Sequence, residues 1–382
     1  MTMWKEQMDL LCQAAEHPAQ TIGQAARSTG RGAVGCFPPY APREAVDACG
    51  LLPVGMWGSA QIPQRSERYV QSFCCSIMKA DLDLGLSGAC DELRAVLIPG
   101  FCDTLKCMGE NWKAAVPAVP AIPLIYPQNR QASGARRYLV AELGRVMAQL
   151  AKVGGHIPSE EELTASLNKF EWARAAQREF CRLASERPQA VSARQRHLVL
   201  KAGWFMDQAD YAGQLEQVND GLAALPEQAG DKLRLVVTGI MLEPLSLLDA
   251  MDECGVCIAA DDLAQESRQF ALAAPEGGTA LERMAARYLG RTGDPLVYDS
   301  KKTRGQHLID MVRQSRADGV LIAMMKFCDP EEFDYPIYKK ELTQAGIPMI
   351  YMETELSNRG AEAFRTRLDG FREMAMERRE QA

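Results

Sequence analysis

The tripeptide Phe-Cys-Asp occurs twice, as Phe101-Cys102-Asp103 and Phe327-Cys328-Asp329, each time just beyond an apolar run. The first follows Ala95-Val96-Leu97-Ile98 and the second follows Gly319-Val320-Leu321-Ile322-Ala323. A helix-length stretch and another apolar run come next. These runs are Ile122-Pro123-Leu124-Ile125-Tyr126, starting twenty residues past Cys102, and Ile347-Pro348-Met349-Ile350-Tyr351, starting nineteen past Cys328. Two related strand–loop–helix–strand units therefore each place a cysteine where a strand ends and a helix begins. Ligands and cofactors gather at that edge of open α/β sheets. A thiol repeated there points to metal or redox chemistry.

The repeat extends further back. Residues 33–37 read as a strand, Pro42 opens a helix, and Asp47-Ala48-Cys49-Gly50 closes it before Leu51-Leu52-Pro53-Val54. In the second half 233–239 read as a strand, Pro244 opens a helix, and Asp252-Glu253-Cys254-Gly255 closes it before Val256-Cys257-Ile258. Proline at a helix start and glycine past its end are the usual punctuation. Both halves thus read β-α-β followed by a second β-α-β, which requires mainly parallel sheets with helices on both faces. The predicted fold is α/β: two related Rossmann-like or flavodoxin-like parallel-sheet domains plus a helical segment. The expected divisions are an N-terminal helical segment at 1–30, a first α/β domain at 31–132, a helical segment at 133–230, and a second α/β domain with a C-terminal helix at 231–382.

The middle segment carries the helical period at Leu139, Leu143, Val146, Met147 and Leu150, ending at Gly154-Gly155. Ser159-x-x-Glu162 is a capping box ahead of Leu163 and Leu167. More helix is expected through 172–183 and 197–205. The polar stretch 225–232 leads into the second α/β unit.

With 382 residues the chain exceeds the about 250–300 at which single cores stop growing, which favours two or three domains. A net charge of −7 gives no electrostatic reason to expect nucleic acid or an anionic membrane as partner. Residues 1–11 are charged and lack a signal-peptide apolar core, and no run approaches the about 20 apolar residues that span a bilayer. A cytoplasmic location is expected. Structural disulfides are disfavoured in a reducing compartment, so the twelve cysteines divide between core residues and a minority of ligands.

Several local patterns lose to simpler readings. Gly30-x-Gly32-x-x-Gly35 matches the dinucleotide fingerprint, but it precedes its strand and cannot form the strand-to-helix turn that holds a pyrophosphate. Cys254-x-x-Cys257 sits at a helix end, whereas thioredoxin-type pairs gain their reactivity at a helix N-terminus; it reads as core. The four histidines are scattered, and none belongs to a His-Glu-x-x-His pattern. Glu44 and the Asp261-Asp262 pair read as helix-surface or capping residues, the aspartate pair following a strand end that could equally face a bound centre. The cysteines at strand ends are different. Cys102 precedes Asp103 and Lys106 at a helix opening, where the dipole favours thiolate. Cys328 precedes Asp329-Pro330-Glu331, another helix opening. Cys74 and Cys75, with Lys79 one turn on, lie between the strand pairs of the first half. Thiolates drawn from distant loops suit zinc or an iron–sulfur cluster. Their spacing is not that of a ferredoxin.

Longer strings carry a family resemblance. They are Gly35-Cys36-Phe37-Pro38-Pro39-Tyr40-Ala41-Pro42-Arg43-Glu44, Val54-Gly55-Met56-Trp57-Gly58, Cys102-Asp103-Thr104-Leu105, Arg178-Glu179-Phe180-Cys181, Ala259-Ala260-Asp261-Asp262 with Glu266-Ser267-Arg268, and Phe327-Cys328-Asp329-Pro330-Glu331-Glu332. Through them the chain resembles the 2-hydroxyacyl-CoA dehydratase family, from about residue 32 to the C-terminal helix. Within the family it resembles the β subunits whose substrate is (R)-2-hydroxyglutaryl-CoA.

That resemblance implies one four-iron four-sulfur (4Fe-4S) cluster on three cysteines, mapped by local motif to Cys75, Cys102 and Cys328. The family pattern has Ser or Thr directly after the first ligand, which selects Cys75, before Ser76, over Cys74. Cys107 falls where the family has no cysteine. Also implied are a homologous α subunit as heterodimer partner, an ATP-hydrolysing iron–sulfur activator protein, and an acyl-CoA substrate bound mainly by the α subunit. A flavin stays open as a further cofactor, since some relatives carry one. The implied reaction is oxygen-sensitive and belongs to anaerobic amino-acid fermentation. One electron reduces the thioester carbonyl to a ketyl radical anion, the α-hydroxyl leaves, the β C–H is deprotonated, and the electron returns to the enzyme. The β subunit would relay that electron, and no catalytic acid or base is assigned to it. The alternative is a homodimeric reductase of small molecules holding a double-cubane cluster, as some relatives do.

Overall fold

The computed structural model describes residues 2–227, 230–357 and 360–381, so the polar stretch expected at 225–232 lies partly outside the described residues. Two helices, α1 (Met3–Glu16) and α2 (Pro18–Thr29), come first. The first half then runs β1 (Ala33–Cys36), α3 (Arg43–Ala48), β2 (Leu52–Gly55), α4 (Ser76–Leu86), β3 (Ala95–Pro99), α5 (Asp103–Ala115) and β4 (Ala121–Leu124). Four helices follow: α6 (Ala135–Leu150), α7 (Glu160–Glu186), α8 (Ala193–Ala202) and α9 (Gln208–Ala223). The second half runs β5 (Leu233–Gly239), α10 (Leu245–Glu253), β6 (Val256–Leu263), α11 (Ser267–Phe270), α12 (Ala280–Leu289), α13 (Arg304–Ser315), β7 (Gly319–Met325), α14 (Asp329–Gln344) and β8 (Met349–Thr354), closed by α15 (Ala361–Gln381).

The sheets have one topology. The strand orders are β2-β1-β3-β4 and β6-β5-β7-β8, and every pairing is parallel. In each half the chain leaves its central strand for one edge and returns on the other side. The switch point therefore lies between β1 and β3, and again between β5 and β7, where ligands bind at the carboxyl ends of the strands. β3 and β7 are equivalent strands, and each leads into a cysteine. Three of the four strands in the first sheet are buried along their whole length, as are all seven residues of β7. That burial explains the unbroken apolar runs that announced them.

The duplicated helix ends are also realised. Gly50 after α3 and Gly255 after α10 both take left-handed φ, at 78° and 66°, where a side chain would strain the backbone. The capping box is formed: Ser159 Oγ accepts the Glu162 amide and Glu162 accepts the Ser159 amide. The first sheet's core is not confined to its own half. Met325 and Leu356 are buried in it, and Cys75, Cys102 and Cys328 pack against it half-buried. Ser76 adds a polar tie, donating to Met325 Sδ at 3.2 Å and accepting the Leu356 amide at 3.1 Å.

Candidate functional site

Cys75, Cys102 and Cys328 are the N-cap residues of α4, α5 and α14. Each helix begins directly after its cysteine. Each thiol therefore sits at the positive end of a helix, where thiolate is favoured. Three distant segments converge here: the loop between β2 and α4, the exit of β3 and the exit of β7.

The thiols feel one another. Burial pushes the Cys102 thiol up to about 11, with Cys75 adding to the rise while the Leu105 and Thr104 amides oppose it. Burial also pushes Cys328 well up, followed by Glu331, Cys75 and Cys102. Cys75 is raised first by its hydrogen bond with Cys74 and then by burial, and the same bond lowers Cys74. Three half-buried thiols that oppose one another's ionisation would be relieved by a shared cationic centre able to take all three as thiolates. Among the described residues no three His, Cys, Asp or Glu side chains stand within reach of a single metal ion. The donor chemistry, three sulfurs at helix N-termini on a largely apolar wall, is of the kind that would hold an iron–sulfur cluster, whose ligands are cysteine thiolates.

Flanking groups complete the site. Phe327 holds a left-handed backbone at φ 64°, a strained conformation for a bulky residue, directly before Cys328. Lys79 and Lys326 lie 5.9 and 5.1 Å from its ring. Asp81 on α4 is fully buried, accepts the Gly58 amide at 2.8 Å, and is pushed up by burial to about 8. Outside the site, Phe73 is 66% exposed and Phe333 is 79% exposed.

Cys254 and Cys257 are buried, at the C-cap of α10 and in β6, as the core reading expects. Cys107 is exposed. The reading of Glu44, Asp261 and Asp262 as surface residues is corrected, because all three are buried in ion-pair networks, while Asp261 does act as a cap, accepting the amide of Ser267 at the start of α11 at 3.0 Å. Glu44 pairs with Arg174 at 2.5 Å and Arg287 at 2.9 Å. Asp261 pairs with Arg196, which also holds Glu266. Asp262 takes a two-pronged contact from Arg268, at 2.9 and 2.8 Å. Arg268 and Arg304 then both reach Glu331 on α14, at 3.1 and 2.7 Å. Sequence reasoning named Glu331 only as part of a helix opening, and its arginine partners come from other elements.

The model of the 2-hydroxyglutaryl-CoA dehydratase D-component family matches residues 38–375. The chain belongs to that family. It is 39% identical to the lactoyl-CoA dehydratase subunit beta of Anaerotignum propionicum, over 94% of this chain and 96% of that one. Identity to the (R)-2-hydroxyglutaryl-CoA dehydratase subunit beta of Acidaminococcus fermentans is 37%, over 91% and 93%. For the (R)-phenyllactyl-CoA dehydratase beta subunit of Clostridium sporogenes it is 35%, over 94% and 96%. The family expected from the sequence strings is therefore the one found. No helix among the described residues is long and apolar enough to cross a membrane.

Proposed function

We propose that this chain is the β subunit of a 2-hydroxyacyl-CoA dehydratase and passes a single electron between an ATP-dependent activator and the α subunit where the acyl-CoA reacts. The observation that carries this reading is the convergence of Cys75, Cys102 and Cys328 as three helix N-caps drawn from both halves, two of them at the carboxyl ends of β3 and β7. A 4Fe-4S cluster held there would supply one-electron chemistry at low potential. The protein's part is to hold three thiolates, to bury them against the apolar wall, and to keep water from most of their surface. No acid or base is assigned to this chain, because the hydroxyl and proton lost from the substrate leave at the partner subunit. The net change is loss of water from the 2-hydroxyacyl-CoA to give the 2,3-enoyl-CoA, with the electron returned at the end of each cycle.

Relatives named for lactoyl, phenyllactyl and 2-hydroxyglutaryl groups resemble this chain to nearly the same extent. What a β chain keeps in common across such different acyl groups supports a role remote from the acyl pocket. We assign 2-hydroxyglutaryl-CoA as the first substrate to test, beside the other two.

The test is anaerobic turnover of the α–β complex with activator, ATP and a low-potential reductant. The expected result is many enoyl-CoA molecules per ATP-dependent activation, with none from this chain alone. One ATP-linked reduction per product molecule would instead mark a reductase, and full activity without activator would remove the electron relay.

A further inference from the structure

The three half-sites differ in the buried residue of the first helical turn. The third helical residue after the cysteine is Met78 in α4 and Leu105 in α5, both buried and apolar. In α14 it is Glu331, a carboxylate only 1% exposed. Packing does not require a charge there, since the equivalent helix of the first half manages with leucine. Burying a carboxylate with its arginines offers little or no stability over an apolar set of similar volume.

The charge is nonetheless held firmly. Glu331 Oε1 accepts from Arg268 Nη1 at 3.1 Å, and Oε2 pairs with Arg304 Nη2 at 2.7 Å. Arg304 also donates to Thr238 Oγ1 at 2.9 Å, and its guanidinium lies 5.0 Å from the Tyr338 ring. Thr238 in turn donates to Asp262 Oδ2 at 2.9 Å. The carboxylate is thus fixed by groups from β5, β6, α11 and α13. With both oxygens engaged it is placed as a fixed charge and not as a ligand. Glu331 stands in the first turn of the helix that Cys328 caps.

We propose that Glu331 is a positioning residue that sets the field on whatever Cys328 binds, holding an electron accepted there at low potential. The inference rests on reading the three thiols as a cluster site. A fixed negative charge in a poorly screened interior opposes each added electron. The potentials of iron–sulfur centres follow the net charge and hydrogen bonding around their sulfurs. The asymmetry follows: of the three helix openings, only that of α14 carries a buried carboxylate in its third position, and that charge lowers the potential.

The experiment is an anaerobic redox titration of the α–β complex followed by electron paramagnetic resonance, with iron and sulfide measured on the same samples. Glu331→Gln and Glu331→Leu should keep the wild-type iron content and move the midpoint of this chain's centre to more positive potential. Glu331→Asp, which keeps the charge, should restore a midpoint near wild type. A purely structural role would leave the midpoint in place or would disturb the aspartate variant as much as the glutamine one. Asp262→Asn removes the more remote anion of the same network and should shift the midpoint in the same direction by less, independently of whether the Glu331 variants fold. Wild-type iron with unmoved midpoints in Glu331→Gln and Asp262→Asn overturns the inference alone. Wild-type protein that binds no iron overturns the cluster reading beneath it.

Discussion

At the residue scale, the decisive choice is between the neighbours Cys74 and Cys75. Cys102 and Cys328 were legible because strand, cysteine and helix opening are contiguous in the chain. The other pair follows a long loop with no strand before it, so local pattern left the choice open and family resemblance supplied it. In the fold Cys75 is the N-cap of α4 and Cys74, just before it, is buried, while the hydrogen bond between them lowers Cys74 and raises Cys75. Cys75→Ala should lose most of the iron of anaerobic protein, and Cys74→Ala should retain it; the reverse pattern in iron analysis would exchange their roles. Glu44 was misread for a different reason. Its partners Arg174 and Arg287 are 130 and 243 residues away in the chain, beyond any local pattern. Burial opposes its charge, yet the two guanidinium groups prevail and hold the carboxyl down at about 2 against an ordinary 4.5. A depressed carboxyl stabilises the fold fully above its unfolded value and loses that contribution as pH falls toward the folded one. Acid unfolding should thus steepen between about pH 4.5 and 2. Glu44→Gln should flatten that limb and, by leaving two buried cations short of their anion, cost roughly 3–5 kcal/mol at neutral pH. An unchanged acid limb in denaturation curves would show that the pair contributes nothing.

At the element scale, all eight strands were legible, because strands largely buried on both faces, as all but β4 and β8 are, appear as short apolar runs between turn residues. Strand ends were less so. β6 continues through Ala259-Ala260-Asp261-Asp262 to Leu263, where the buried aspartates interrupt the apolar signal that would have marked it. The helices α11 to α13 between β6 and β7 went unassigned, although Thr279-x-x-Glu282 is a capping box that could have marked α12, and it is formed. Ser192-x-x-Gln195 similarly opens α8. The closest approach of a glycine to the backbone of another element is at the end of β5. A methyl group on Gly239, at φ +149°, would stand 2.1 Å from the Ala323 carbonyl oxygen of β7. Gly239→Ala should separate the central strands of the second sheet beside the Cys328 edge and destabilise the protein by about 3 kcal/mol or more. Chemical denaturation checks this, and a wild-type midpoint would mean the strands accommodate the methyl.

At the scale of the whole molecule, the two halves repeat one topology and meet at the thiols, so the site exists only when both are folded and docked. Phe73, two residues before Cys75, and Phe333, five after Cys328, leave large apolar side chains in solvent. Relatives of this chain are named as subunits. Co-expression with a homologous α subunit should give a heterodimer burying over about 2,000 Å², as obligate complexes do. A stable homodimer in sedimentation would favour the double-cubane alternative. The most direct measurement is iron and sulfide analysis with Mössbauer spectroscopy on anaerobic protein, wild type against Cys75→Ala, Cys102→Ala and Cys328→Ala, with Cys254→Ala and Cys257→Ala as buried-cysteine controls. The account predicts one 4Fe-4S cluster per chain, lost in each of the first three and kept in both controls. Full iron retention in the three N-cap variants, or zinc in place of iron, would contradict it.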